Sequence, residues 1–278
     1  MSAVRTEVLV SIRGLGKRYV QKRPLSGTEF VIEALCDVNL EIRRGATTAL
    51  VGESGAGKST LVRCVALLEK PTSGEIEFDG RNLLALSGKD LFHARREIQL
   101  VFQDPSSSLN PGMTAAEIIA EPLAIQREGT NSERLRRAVE LMDHVGLPSG
   151  SADKRPLEFS GGQRQRLAIA RALALRPKLL VLDEAFSNLD LATRESLLRL
   201  LRDLQAEDSL TYLHVSHDLR MVGDLADEVA VMCEGRIVEH GPTAELFARP
   251  QHGYTRALLE ATWMPARLTV DCAAEVSR

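Results

Sequence analysis

The sequence predicts an α/β fold, a largely parallel sheet with helices packed on it. Three observations carry this. Short apolar runs of strand length alternate with stretches of helical periodicity along most of the chain. One run, at 47–51, leads through a glycine-rich loop into a helical pattern over 58–68. Another, at 178–182, is apolar from Leu179 to Leu182 and runs into two adjacent carboxylates, Asp183 and Glu184, at the strand end where open α/β sheets place ligand chemistry.

The elements follow in order. Residues 7–13 alternate apolar and polar, as a strand does. The polar stretch up to Glu33 holds Pro24 and Gly27, which mark a hairpin or loop. Val38, Leu40 and Ile42 resume the alternation, and a turn at Gly45 opens the strand at 47–51. The helix over 58–68 stops at Pro71-Thr72-Ser73-Gly74. A strand at 75–78 ends in the turn Asp79-Gly80, and 98–102 is a further apolar strand. Residues 104–158 change character, with helical patterns at 114–127 and 132–145, and are expected to form a helical insert. Beyond it come a helix at 163–175, the strand at 178–182, a helix at 193–205, a strand at 210–215 and a helix at 221–225. A hairpin, 229–233 and 236–239, turns at Glu234-Gly235, and 243–262 reads as one helix. The tail, 263–278, carries no pattern and is expected to be disordered.

Composition narrows the function classes. A chain of 278 residues with 44% hydrophobic and 26% charged residues is ordinary globular material, long enough for a well-buried core. A net charge of −3 gives no global basic field, so no nucleic-acid partner is expected. The cysteines, Cys36, Cys64, Cys233 and Cys272, form no CxxC pair, so reduced thiols are expected rather than a zinc site or a disulfide framework. No run approaches the roughly 18 apolar residues of a membrane span, and no secretory leader is read at the N-terminus.

Gly52-Glu53-Ser54-Gly55-Ala56-Gly57-Lys58-Ser59 fits GxxxxGK[ST] between a strand and a helix. Glycines let the backbone curl so that successive amides point at phosphate oxygens, and the helix N-terminus adds partial positive charge. Lys58 is expected to reach the β- and γ-phosphates of a nucleotide. Ser59 would offer its hydroxyl to Mg²⁺, and Thr60 adds one more donor. The plain alternative is a glycine-rich turn with an incidental Lys-Ser. Asp183 is expected to hold Mg²⁺ through water, and Glu184 to polarise the attacking water. The plain alternative for this pair is an exposed acidic cap.

Phe159-Ser160-Gly161-Gly162-Gln163 followed by Arg164-Gln165-Arg166 resembles the signature of ABC ATPases, placed shortly before the acidic strand as in that family. It is a small-residue loop opening a helix, a second phosphate-binding device. The family pattern more often begins with Leu, and Phe159 departs from it. The resemblance covers residues 8–262 and implies the P-loop ABC ATPase fold. That fold has a RecA-like parallel-sheet core, an antiparallel β subdomain and an α-helical subdomain at about 104–158. It implies a head-to-tail dimer with two ATPs sandwiched, Ser160, Gly161, Gly162 and Gln163 facing the nucleotide of the opposite subunit. Gln103 looks like the Q-loop glutamine, which senses Mg²⁺ and links to the transporter. Ser187-Asn188-Leu189-Asp190 is similar to the D-loop across the dimer. His217 resembles the switch histidine at the γ-phosphate. Tyr19 lies where the family places the ring that stacks on adenine.

Val101-Phe102-Gln103-Asp104-Pro105, Ser107-Ser108-Leu109-Asn110-Pro111 and Pro250-Gln251-His252-Gly253-Tyr254-Thr255 resemble the peptide and nickel importer ATPases. Asp183-Glu184-Ala185 is similar to the second ATPase of nickel importers. What this resemblance implies is an ATP-hydrolysing subunit on the cytoplasmic face of the inner membrane. Its partners would be integral-membrane permeases, a second ATPase or a copy of itself, and indirectly an extracytoplasmic solute-binding protein. Peptide and nickel stay open together as cargo. The rival is an ABC ATPase of a soluble complex, like that of the carbon–phosphorus lyase. A DNA-repair or chromosome ATPase would need long coiled coils, and no sustained heptads are present. A P-loop kinase is at odds with the signature and His217.

Overall fold

The computed structural model describes residues 7–22, 29–186 and 189–263. The elements in chain order are β1 (Val8–Lys22), β2 (Glu29–Arg43), β3 (Thr47–Val51), α1 (Lys58–Val65), β4 (Ser73–Phe78), β5 (Arg81–Asn82) and α2 (Gly88–Glu97). Next come β6 (Ile98–Val101), α3 (Pro105–Ser108), α4 (Ala115–Ile125), α5 (Asn131–His144), α6 (Gly161–Leu173), β7 (Leu179–Asp183) and α7 (Leu191–Asp208). The last are β8 (Thr211–Ser216), α8 (Leu219–Leu225), β9 (Glu228–Cys233), β10 (Arg236–Pro242), α9 (Thr243–Ala248) and α10 (Gly253–Trp263). The described residues group into two compact units, one made of those within 7–91 and 211–263, the other of those within 92–210.

The first unit holds an antiparallel sheet in the order β2-β1-β4-β5. Its second strand group has β3 parallel to both β8 and β9, with β10 antiparallel to β9. Every residue of β3, β8 and β9 is buried, as expected of parallel strands covered on both faces. Ala49 and Val51 of β3 pack with Val229 and Val231 of β9 and with Leu219, Val222, Leu246, Tyr254 and Leu259. The second unit has β6 parallel to β7 and the helices α3 to α7. Residues 104–158 carry α3, α4, α5 and two short 3₁₀ turns and, as described, no strand. Thr114 and Thr130 each form a reciprocal capping box with Glu117 and Glu133, which sets where α4 and α5 begin.

The α/β class with parallel and antiparallel sheets stands as expected, and three local readings change. The strand read at 7–13 continues to Lys22, because register shifts between Ile12 and Leu15 and between Leu15 and Lys17 break the two-residue alternation without ending the pairing. α2 is absent from the sequence reading. Its one buried residue is Ala94, so it carries no apolar stripe to betray it. The helix read over 243–262 is two helices, parted at Arg249-Pro250, where proline lacks the amide a continuing helix needs. Cys36 and Cys64 carry free thiols, as expected of them. Pro24, Gly27, Ser187, Asn188, Cys272 and the tail from 264 lie outside the described residues.

His214, in the middle of β8, is fully buried, and burial pushes its imidazole down to about 4 despite the Asp218 carboxylate nearby. Between its ordinary value of 6.5 and about 4 the unfolded chain carries this proton and the folded chain does not. Stability therefore falls as pH drops through that window, by about 3 kcal/mol in total. We expect the gap in urea midpoint between pH 7 and pH 4.5 to shrink in His214→Leu. An unchanged gap would remove His214 as a source of acid lability.

Candidate functional site

The first unit positions the phosphate loop between β3 and α1. Gly52 and Gly57 have φ of 151° and 104°, and each is pressed against backbone. A Cβ on Gly52 would lie 2.1 Å from the Met232 carbonyl oxygen, and one on Gly57 2.4 Å from that of Ala34. Neither position can take a side chain, so both glycines are required by the curl as well as by φ. Gly55, at φ 88°, meets nothing within 4 Å. Glu53, Ser54, Gly55 and Ser59 are exposed, Gly57 and Thr60 half-buried, and Gly52 and Ala56 buried.

Lys58 is 6% exposed, and its Nζ donates to the carbonyls of Gly52 (2.7 Å) and Glu53 (2.8 Å). The lysine thus clasps the loop that precedes it. The N-cap of α1 is Gly57, which offers no side-chain acceptor to the first amides of the helix. An open helix N-terminus beside a buried ammonium is suited to an anion.

Tyr19 sits on β1 paired with Ile32. Its hydroxyl donates to Glu69 Oε2 at 2.7 Å, while Lys17 Nζ lies 3.0 Å from Glu69 Oε1 and 5.0 Å from the Tyr19 ring centroid. Burial, then the hydrogen bond to Glu69, raises the Tyr19 phenol above its ordinary value, and Thr60 also hydrogen-bonds it. For Glu69, burial works the other way, but the hydrogen bonds from Tyr19 and Lys17 hold the carboxyl below the usual range. The ring is therefore pinned at its hydroxyl end, close to α1. His217 follows β8 and is exposed. Asp218 next to it caps α8, accepting from the amides of Arg220 and Met221.

The second unit carries the remaining residues. Asp183 is the last residue of β7, and Glu184 follows it with φ 49°. This left-handed conformation costs a non-glycine residue about 1–2 kcal/mol and is a feature no sequence pattern reveals. Ser160 caps α6. Its Oγ accepts from the Gln163 amide (3.3 Å), and Gln163 Oε1 accepts from the Ser160 amide (2.9 Å). Ser160, Gly161 and Gln163 are exposed, and Phe159 is buried beneath them, so the substitution at the head of the signature anchors the loop without covering it. The two glycines differ in role. A Cβ on Gly161 would meet open space, whereas one on Gly162 would lie 2.3 Å from Thr193 Cγ2. Thr193 is also held by Asp190, whose carboxylate accepts from the Thr193 amide (3.0 Å) and hydroxyl (2.6 Å). These bonds keep the Asp190 carboxyl below its ordinary range. Gln103, Asp104, Gly161, Arg164 and Ala185 line one cleft, so the glutamine after β6, the signature helix and the turn after β7 meet. Arg171 of α6 donates to the Ser108 carbonyl at 2.6 Å and ties that helix to α3.

Sequence reasoning missed the support around these residues: Glu69 under Tyr19, Arg166 bonding Ser196 Oγ at 2.8 Å, and Tyr254 on the phosphate loop. Arg166 and Tyr254 stand in runs quoted above, but no short motif shows these bonds, since each partner lies tens of residues or more away.

A phosphate loop with a clasping lysine, a second glycine-opened helix and an acidic strand end define a nucleotide-hydrolysing cassette. The profile described as ABC transporter matches residues 35–187. The chain belongs to the ABC transporter family, as an ATP-binding subunit whose ATP hydrolysis is coupled to transport. It is 47% identical over 257 residues to a Brucella ovis protein named for peptide import and ATP binding, covering 92% of this chain and 79% of that one. It is 45% identical over 254 residues to the dipeptide transport ATP-binding protein DppF of Haemophilus influenzae, covering 91% and 78%. Among solved structures it resembles a dimeric ATP-binding cassette in a post-hydrolysis state bound to ADP and Pi. There the TM-score is 0.74 at 33% identity, with 84% of this chain and 99% of that one covered. It also resembles cbiO1 from Clostridium perfringens, part of the ABC transporter complex cbiONQ, with a TM-score of 0.75 at 30% identity and coverage of 93% and 96%. The transport names favour a transporter subunit over the ATPase of a soluble enzyme complex.

Proposed function

We propose that this chain energises peptide import. Two copies, or one copy and a related ATPase, close head to tail over two ATPs. The observation that carries the sandwich is the exposed N-terminus of α6, where Ser160 and Gly161 face outward over a buried Phe159 and present a second phosphate-binding end. Gly52 to Thr60, with Lys58 foremost, hold the phosphates of one nucleotide, and Tyr19 stacks on its adenine. Ser160, Gly161, Gly162 and Gln163 meet the γ-phosphate of the nucleotide held by the other subunit, and Asp190 lies across the dimer. Glu184 polarises the attacking water, His217 contacts the γ-phosphate, and Gln103 couples the metal to the transporter.

Oxygen donors from Ser59, Gln103 and Asp183 suit Mg²⁺, which prefers hard ligands and keeps several waters. The described residues contain no cluster of three or more His, Cys, Asp or Glu that could hold a metal alone. Most of the rate enhancement is positioning and charge stabilisation.

No described helix is long and apolar enough to cross a membrane. Cargo passes through integral-membrane permease subunits. Phe102, Ile125 and Leu157, on or beside the helical stretch, are exposed apolar side chains suited to such a partner. The permeases place this subunit at the cytoplasmic face of the inner membrane, and a solute-binding protein outside delivers the cargo. Nucleic acid has no part. The peptide assignment rests on the names of the relatives. Deleting the gene is expected to abolish uptake of labelled dipeptides and leave nickel uptake unchanged, with rescue by the wild-type chain but not by Glu184→Gln. Loss of nickel uptake with peptide uptake intact would overturn it.

A further inference from the structure

The C-terminal stretch Pro250-Gln251-His252-Gly253-Tyr254-Thr255 takes no part in the phosphate chemistry above, yet the fold builds it into the site. Tyr254 is 5% exposed, its ring packed among Val51, Val231, Leu219 and Leu259. Its hydroxyl oxygen accepts a 2.9 Å hydrogen bond from the amide of Glu53, the second residue of the phosphate loop and 201 positions away. The segment is itself fixed. The Glu239 carboxylate on β10 accepts from the amides of Gln251 (2.8 Å) and His252 (3.0 Å), and His252 Nδ1 accepts from the Tyr254 amide (3.2 Å).

The loop therefore has supports on two sides of one peptide. Lys58 holds the carbonyls of Gly52 and Glu53 from within the loop, and Tyr254 holds the Glu53 amide from α10. We propose that Tyr254 is a positioning residue for nucleotide binding, setting where the phosphate loop departs from β3, with Glu239 and His252 setting Tyr254 in turn. The inference rests on the reading of 52–60 as the nucleotide loop. A loop that must present several amides to phosphate gains affinity when its entry is fixed before the nucleotide arrives, because ordering is then not charged to binding.

Tyr254→Phe keeps the ring and removes only the acceptor. In the full-length chain, titration calorimetry with ATP is expected to show about 5-fold weaker binding, the size of one net hydrogen bond. KM for ATP rises by a similar factor while kcat stays within about 2-fold. Hydrogen exchange at the Glu53 amide accelerates, and the melting midpoint falls by no more than about 4 °C. Glu239→Gln turns one of two acceptors into a donor facing a backbone amide, and moves affinity and exchange in the same direction. Wild-type affinity and unchanged exchange in Tyr254→Phe overturn the positioning role alone. Unchanged values in Glu239→Gln remove Glu239 from the support. A wild-type chain that does not bind ATP overturns the nucleotide reading, and the positioning role falls with it.

Discussion

Lys58→Ala is expected to lower ATP affinity about 100-fold and to leave no measurable hydrolysis. Two losses combine. The substitution removes the charge-assisted donors expected to meet the β- and γ-phosphates, each worth about 1.5–3 kcal/mol. It also removes the donor to the Gly52 and Glu53 carbonyls, so the curl that aims the loop amides slackens. Lys58→Arg is not a repair, because a planar fork cannot fill the place of a compact ammonium at a site this enclosed. Calorimetric titration with ATP measures the effect. Affinity within about 3-fold of wild type would take Lys58 out of phosphate binding.

Glu184→Gln is expected to separate binding from turnover. ATP affinity stays near wild type, while hydrolysis falls by at least about 100-fold, the span assigned to a positioned general base. The side chain keeps its shape and loses its charge, so the left-handed backbone at 184 is undisturbed. With Mg²⁺ and ATP the variant should elute from a sizing column as a dimer that wild type resolves by hydrolysis. Retention of more than about a tenth of wild-type turnover would assign water activation elsewhere. If both proteins bind ATP and neither dimerises, the working partner is a second, different ATPase.

The strand–loop–helix unit from Thr47 to Val65 was legible because its signals are local: a short strand ending in Ala49-Leu50-Val51, then glycines and a lysine at fixed spacing before a helical pattern, whereas the backbone of Met232 and Ala34 that bars a side chain at Gly52 and Gly57 was not. α4 and α5 were legible through their apolar periodicity, and their capping boxes agree. α2 was not, since a helix burying only Ala94 writes no period into the sequence. The bulges of β1 hid its second half in the same way. Within the site, residue types were readable and their supports were not. The Glu53–Tyr254 bond joins residues 201 positions apart, and the backbone of Glu184 is a property of the fold that its neighbours in sequence do not encode.

The contact between Gly162 and Thr193 couples two stretches proposed above to face the other copy. Asp190 grips Thr193 through amide and hydroxyl, and Thr193 leaves no room for a Cβ at position 162. The start of α6 and the start of α7 are thus keyed together like two teeth of one gear. A substitution at either tooth must be answered at the other or at the facing chain. Gly162→Ala alone is therefore expected to displace Thr193 and, with it, the Asp190 cap of α7.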